Sequence, residues 1–270
     1  MPTTPCGVIL YDKPAGLTSH DVVASVRRQL PGKVKVGHAG TLDPFATGLL
    51  LVLVGRATRV QRFLMALSKR YEVVARFGAR STTGDPEGEI VHTGAVPEGP
   101  LELPVGLIRQ RPPAYSAVKV AGRRAYQLAR AGETSLELPE REVEIHRFQE
   151  RWRQGDRRGF VVECSSGTYV RSLVAALGDA YCEELRRTGI GAFEVGDADP
   201  ERIVALNDAL GFLPEVRLDA ETARRAAHGV PVPAEAEGTV RLVGEDGLIA
   251  LGQPDAARGG IKPVVGLRGH

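Results

Sequence analysis

Cysteine is scarce in this chain. The three cysteines among 270 residues, Cys6, Cys164 and Cys182, are odd in number and far apart. A disulfide framework needs pairs and a zinc knuckle needs closely spaced ligands, so neither is indicated. Few and unpaired cysteines are typical of a protein from the reducing cytoplasm, which is the location that we expect.

Long hydrophobic runs are also missing. The N-terminal stretch "MPTTPCGVILYDKPAG" lacks the basic start and long apolar stretch of a signal peptide, and no run approaches the ~20 apolar residues that span a bilayer. We therefore expect no secretion and no membrane insertion. The hydrophobic content of 43% and the charged content of 25% are those of an ordinary globular protein. The length allows one large domain or, as we expect, a domain with a smaller attachment.

Motifs for several common chemistries are absent from the sequence. No His or Cys pair shows metal-ligand spacing, and His38 and Asp43 are merely five apart in one loop. The glycines of that loop are not followed by Lys-Ser or Lys-Thr, and there is no G-x-G-x-x-G there. The serine-hydrolase pattern G-x-S-x-G does not occur either. We expect no metal and no cofactor.

Hydrophobic periodicity predicts a mixture of strands and helices. Strands are predicted in "GVILYDK", "KVKVG", "LLLVLVG", "RYEVVARFGAR", "REVEIHRFQERW" and "GFVVEC", and the unbroken apolar run of "LLLVLVG" indicates a strand covered on both faces. Helices are predicted in "TSHDVVASVRRQL" with Thr18 or Ser19 as N-cap, "ATRVQRFLMALSK", "GRRAYQLARAG" and "TYVRSLVAALGDAY". The turn "TTGDPEGEI" predicts a hairpin.

The texture of the sequence changes near Pro214. Beyond it come short β-like runs rich in Gly and Pro, with one helix predicted in "DAETARRAAHG". This tail is small for an independent domain, although small β-barrels of that size exist. We place a boundary there, between residues 1–213 and 214–270.

The loop "GHAGTLDPFATG" holds one acid, Asp43, on a turn stiffened by Pro44. The local sequence favours a structural role, with Asp43 as N-cap and Pro44 opening one helical turn. A carboxylate nucleophile would need the same rigidity and a counter-charge to stay ionised, so both roles can hold at once. Arg171, with Tyr169 before it, is a candidate counter-charge, and a surface arginine beside a core tyrosine is the plain alternative.

A cationic stretch runs from Arg109 to Gly132. It contains six basic residues and no acid, with Tyr115 and Tyr126 interleaved. A solvated helix face explains such a run, and so does a surface that binds nucleic acid.

Six segments in order resemble the bacterial TruB-type pseudouridine synthases, which isomerise uridine 55 in the T-loop of tRNA. They are "YDKPAGLTSHDVV", "GHAGTLDPFATGLLLVLVGRATR", "KRYEVVARFGARSTTGDPEGE", "RPPAYSAVKVAGRRAYQLARAG", "CSSGTYVRSLVAALG" and "LRRTGIGAF". The resemblance covers nearly the whole chain. It implies an α+β pseudouridine synthase fold with a mixed, mostly antiparallel sheet flanked by helices, and a small C-terminal PUA-like β-barrel that binds RNA.

The resemblance also implies a role for individual residues. Asp43 matches the catalytic aspartate, Arg171 the arginine paired with it, and Tyr71 the tyrosine that stacks on the target base and is implicated in proton removal. His38 matches the residue that fills the space left by a flipped nucleotide, and Tyr169 and Leu185 match pocket positions. Lys119, Arg123 and Arg124 fall in the RNA-contacting insertion, at about 109–132.

The implied partner is tRNA, with no obligatory protein partner and a monomeric enzyme. Two departures from the family pattern are visible: a short segment between Pro97 and Arg109, and no acid before the "LG" pair of "LVAALGDAYCEE". Two rival hypotheses remain, namely a non-catalytic RNA-binding or RNA-folding protein and a relative that needs a guide RNA and partner proteins.

Overall fold

A computed structural model describes residues 5–113, 115, 119–120, 123–124, 138–257 and 259–268. The α-helices in these ranges are α1 (Ser19–Gln29), α2 (Gln61–Ala66), α3 (Val170–Ala175), α4 (Leu206–Ala209) and α5 (Ala220–Ala227). Short 3-10 helices cover Gly55–Val60 and Val195–Asp197. Within the described residues, none of the helices has the length and apolar character that a transmembrane span requires.

The strands form one large sheet and three smaller ones. In chain order they are β1 (Gly7–Lys13), β2 (Val36–Ala39), β3 (Thr47–Val54), β4 (Lys69–Phe77), β5 (Ala79–Ser81), β6 (Ile90–His92), β7 (Gly106–Gln110), β8 (Lys119–Val120), β9 (Arg123–Arg124), β10 (Arg141–Gln154), β11 (Arg157–Cys164), β12 (Ala180–Ile190), β13 (Phe193–Glu194), β14 (Glu215–Arg217), β15 (Val240–Gly244), β16 (Gly247–Pro254) and β17 (Ile261–Gly266).

The large sheet has the strand order β1-β3-β12-β4-β11-β10-β7, with β2 also paired to β3 and β13 to β12. Every pairing in it is antiparallel except the one between β3 and β12. The expected mixed and mostly antiparallel sheet is therefore confirmed. Few helices accompany it.

Strand β3 is covered on both faces, as its apolar run predicts, because seven of its eight residues are buried. Alternate side chains point to opposite faces of a strand, so Leu49 and Leu51 join one core while Leu50 and Val52 join another. Helix α1 packs Val22 and its neighbours against the second of these cores. Thr18 is its N-cap and forms a capping box with Asp21.

A third core lies under the middle of the sheet. Val73 and Phe77 of β4 pack there with Phe160 of β11, whose ring meets that of Phe148 edge to face at 5.4 Å. Each such side chain contributes about 1.5–3 kcal/mol by burial. This core supports the strands that carry the candidate site.

The C-terminal strands form a four-stranded sheet in the order β14-β15-β16-β17, covered by helix α5. Within the described residues no pairing joins β17 to β14, so the structure has a sheet with two edges where a closed barrel is predicted. Leu251 and Leu267 pack into the same core as Leu49 of β3. The tail therefore shares hydrophobic core with the rest of the protein.

Three local predictions are wrong in extent. Strand β2 begins at Val36, not at the start of "KVKVG", because β3 ends at Val54 opposite Val36. Helix α3 stops at Ala175, and pairing of β12 with β4 already starts at Ala180. In "GRRAYQLARAG", two residues form strand β9 instead of helix, and 125–132 lie outside the described residues.

Candidate active site

Asp43 lies in the loop between β2 and β3. The Ala46 N–H donates to its carbonyl oxygen at 3.1 Å, so residues 43–46 form one turn, and no helix follows it because β3 begins at Thr47. The loop is anchored on both sides of Asp43. Leu42 N–H donates to Ser19 Oγ at 2.9 Å, and the carbonyl of Pro44 accepts from Gly16 N–H at 2.8 Å. The acid therefore sits on a rigid support.

The predicted pairing of Asp43 with Arg171 is present. Arg171 Nε lies 3.0 Å from Asp43 Oδ2, and the arginine side chain is only 4% exposed. Its other nitrogens are also engaged: Nη1 donates to Asp85 Oδ2 at 2.9 Å and to Thr83 O at 2.7 Å, and Nη2 donates to Tyr115 O at 2.8 Å. The planar guanidinium is thus fixed between two carboxylates.

Burial has the largest effect on the acidity of Asp43. It raises the pKa of the carboxyl above its ordinary value, and the nearby Asp85 carboxylate adds to the rise. The Arg171 guanidinium acts in the opposite direction, as Lys13 does to a smaller extent. Arg171 therefore favours the anion, which is the form of a carboxylate that can attack.

Tyr71 lies on β4 and is buried. Burial raises the pKa of its hydroxyl, while the nearby Arg187 guanidinium acts in the opposite direction. Arg187 lies on β12 and donates from Nε to Leu49 O at 2.7 Å and from Nη2 to Gly40 O at 3.1 Å. One buried cation thus connects the loop of Asp43 to the β3 backbone and lies near Tyr71. The sequence analysis missed Arg187 as a site residue, although "LRRTGIGAF" contains it.

These groups surround a cavity of ≈ 390 Å³, within the range of roughly 300–1,000 Å³ found for small-molecule sites. Five predicted residues line it, namely Asp43, Tyr71, Tyr169, Arg171 and Leu185. Three cations that we did not predict line it as well, namely Lys69, Arg141 and Arg187. Asp43 is the one carboxylate among the described lining residues. The cavity therefore suits a negatively charged ligand and offers it one carboxylate.

A larger groove of ≈ 620 Å³ opens on the other face of the sheet, between Trp152 and Arg186. Of the predicted site residues, it includes only Leu185, whose strand separates the two spaces. The groove therefore contains neither Asp43 nor the Tyr71, Arg171 and Arg187 side chains that surround it.

His38 lies on β2, five residues before Asp43. Its ring is 5.4 Å from that of His20, and its carbonyl accepts from Gln61 Nε2 at 2.7 Å. It is close to the loop but is not among the residues that line the cavity. The backbones of Lys119, Arg123 and Arg124 form the β8–β9 pair. Their side chains, and Tyr126, lie outside the described part of the chain.

No group of three potential metal-ligating residues occurs in the ranges that the structure describes. The cavity brings together a carboxylate, a phenol and buried guanidinium groups.

Comparison with known proteins agrees with this geometry. Residues 27–170 match the profile of the "TruB family pseudouridylate synthase (N terminal domain)". A tRNA pseudouridine synthase B of Thermobifida fusca (strain YX) is 43% identical, over 97% of this chain and 99% of the relative. One from Mycobacterium sp. (strain KMS) is 41% identical, over 93% of this chain and 90% of the relative.

A solved Cbf5-Nop10-Gar1 complex contains a similar fold. The alignment has a TM-score of 0.71 and 28% identity, and covers 97% of this chain and 84% of the other. Sequence and fold therefore lead to one assignment: this chain belongs to the TruB family of pseudouridylate synthases.

Proposed function

We propose that this protein is a tRNA pseudouridine synthase that isomerises uridine 55 in the T-loop, with Asp43 as nucleophile and without a cofactor. The observation that carries the proposal is the Asp43–Arg171 pair, with 3.0 Å between Nε and Oδ2, at the wall of a cavity lined by Tyr71 and Leu185. Family membership and the curated relatives support the activity and the substrate.

The reaction breaks the bond between C1′ of the ribose and N1 of uracil and forms a bond between C1′ and C5. A proton leaves C5 and N1 gains one, so the change needs no oxidant, no hydrolysis and no external group. Asp43 attacks the nucleoside, at the base or at the sugar, and so detaches the uracil for rotation. Arg171 holds the attacking carboxylate anionic and oriented.

The target base must leave its stack to reach Asp43, at a cost of a few kcal/mol. Tyr71 offers a ring on which the extruded base stacks, and its hydroxyl is a candidate for proton removal at C5. Tyr169 and Leu185 complete the wall. His38, next to the loop, fills the space that the base leaves in the RNA.

RNA affinity comes from outside the cavity in this proposal. Lys119, Arg123 and Arg124 contact phosphates, which supply much of the affinity of RNA-binding proteins. The sheet of residues 214–270 acts as a PUA-like RNA-binding unit, attached to a synthase domain of residues 1–213. The protein works as a monomer without an obligatory protein partner, in the cytoplasm, where its tRNA substrate is found.

An unmodified T-loop transcript incubated with the purified chain tests the activity. We expect pseudouridine at position 55 without any guide RNA or added protein. An unchanged uridine would favour a non-catalytic RNA-binding protein. Activity that appears only with a guide RNA and partner proteins would favour a relative that depends on them.

Asp43→Asn tests the nucleophile. The amide keeps the size of the side chain but cannot attack, so we expect no detectable product and tRNA binding within about threefold of wild type. Asp208→Asn, at an exposed position on α4, is the matched control and should keep full activity. Turnover by Asp43→Asn comparable to wild type would overturn the assignment.

A further inference from the structure

Gln110 is buried at the end of edge strand β7, with 7% of the residue exposed. Its carboxamide faces the backbone of Tyr169: Nε2 donates to Tyr169 O at 2.9 Å, and Oε1 accepts from Tyr169 N–H at 2.7 Å. Neutral side chains with a fixed donor and acceptor side by side are the amides of Asn and Gln. Gln110 thus makes both hydrogen bonds that a neighbouring strand would make.

Tyr169 is the residue at which the chain enters helix α3. The helix has six residues, and the side chain of its N-cap residue, Tyr169, makes no capping bond. Burial of Val170, Leu173 and Val174 determines which face of α3 meets the core. Apolar contacts are not directional, so they leave the position along the helix axis weakly defined. The two Gln110 bonds restrain that position at the start of the helix.

Arg171 follows two residues after Tyr169. Its Nε must lie within hydrogen-bond distance of Asp43, and a displacement of about 1 Å at a reacting group can reduce a rate 100-fold. Two further bonds join α3 to the same segment of chain: Ser172 Oγ donates to Arg111 O at 3.1 Å, and Arg171 Nη2 donates to Tyr115 O. In both of these bonds the segment contributes only a backbone carbonyl as acceptor. Among its described residues, Gln110 is therefore the one whose side chain orients the start of α3.

We propose that Gln110 is a positioning residue for the isomerisation: it fixes the start of α3 so that Arg171 stays paired with Asp43 and Tyr169 stays in the cavity wall. The inference rests on the proposed function. A merely structural Gln110 would affect folding stability and leave the chemical step unchanged.

Gln110→Met is the first variant, since Met has a similar length and volume but no amide. We expect the single-turnover rate to fall ~10–100-fold, with the Kd for tRNA within about threefold of wild type. The acid limb of the pH–rate profile should move to higher pH, because a displaced Arg171 opposes protonation of Asp43 less effectively. Gln154→Met, at the exposed end of β10, is the control and should match wild type in rate, Kd and pH profile.

Gln110→Glu provides a second, pH-dependent test. When protonated, the introduced carboxyl can donate to Tyr169 O and accept from Tyr169 N–H, whereas the ionised form can only accept. The rate relative to wild type should therefore rise as the pH falls from 8 to 6. The charged residues beside it are Arg109 on β7 and Arg111 directly after it, and, on the neighbouring chain, Glu140, Arg141 and Glu142.

Each of these measurements can overturn the positioning role of Gln110. A wild-type rate and acid limb for Gln110→Met, with only the melting temperature lowered, would overturn the inference. So would a raised Kd with an unchanged rate, which would assign Gln110 to RNA binding. If Gln110→Met does not fold, a pH-independent rate ratio for Gln110→Glu would overturn it alone. Inactive wild-type protein would instead overturn the proposed function.

Discussion

Lys69 is a buried cation at the wall of the cavity, and its removal should change how stability depends on pH. Its Nζ donates to the carbonyl oxygens of Met65 and Leu67, at the C-terminal end of α2. Burial lowers the pKa of this lysine from 10.5 to about 8, and repulsion from Arg187 adds to the effect. We predict the consequence for Lys69→Met.

The sign follows from the two pKa values. The unfolded chain keeps the Lys69 proton up to about pH 10.5, and the folded protein releases it near pH 8. Between these values the unfolded state binds one more proton, so the free energy of unfolding rises with pH. One pH unit corresponds to about 1.36 kcal/mol, so the free energy of unfolding rises by roughly 3 kcal/mol between the two pKa values. The nearby Cys164 thiol, whose pKa is raised to about 11, remains protonated over most of it.

Urea unfolding of wild type and Lys69→Met, followed by circular dichroism between pH 7 and 9.5, measures this effect. The difference in unfolding free energy should be constant up to about pH 7.5 and then grow by about 2 kcal/mol in favour of wild type by pH 9.5. Lost hydrogen bonds to Met65 and Leu67 add only a pH-independent offset, since the neutral amine still donates. Lys33→Met, at an exposed position, should show a flat difference. A flat difference for Lys69→Met as well would refute the reasoning.

Two further substitutions test the packing and the chemistry of the site. Gly48→Ala should lower stability by roughly 2–4 kcal/mol in thermal melts, because Gly48 has a φ of +101° and an added Cβ would lie 2.2 Å from the carbonyl oxygen of Arg187. Gly238→Ala, at a φ of +87° in open space, should lose about 1 kcal/mol, and equal losses would contradict the steric argument. Tyr71→Phe keeps the aromatic ring but removes the hydroxyl that is proposed to take the proton from C5, so the single-turnover rate should fall roughly 100-fold with tRNA binding retained. A wild-type rate would exclude the hydroxyl from proton transfer.

Local pattern was enough to predict the elements that carry the site. The apolar run of β3, the N-cap of α1 at Thr18 and the strands β10 and β11 are confirmed, because burial periodicity and turn residues act over a few neighbours. The length of helix "TYVRSLVAALGDAY" was overestimated, because its last residues belong to β12 and pair with β4. That strand is distant in the sequence, so no local pattern reveals the pairing.

The candidate site was predictable only in part. Asp43 and Arg171 are far apart in the sequence; charge made Arg171 a candidate partner, and only the family resemblance placed the two side by side. Gln110, Asp85 and Lys69 had no signal, because their significance depends on groups brought close by folding: the Tyr169 backbone, the Arg171 guanidinium and the end of α2. The roles of His38, Lys119, Arg123 and Arg124 stay predictions.

The insertion of β12 between β3 and β4 has a consequence for biosynthesis. Both flanking strands leave the ribosome long before Ala180, the first residue of β12, and in the described sheet they are joined through β12. Such long-range closure is slow and comes late in folding. A nascent chain that already contains Asp43 and Tyr71 therefore lacks Leu185 and Arg187, so the wall of the cavity is incomplete until β12 has been synthesised.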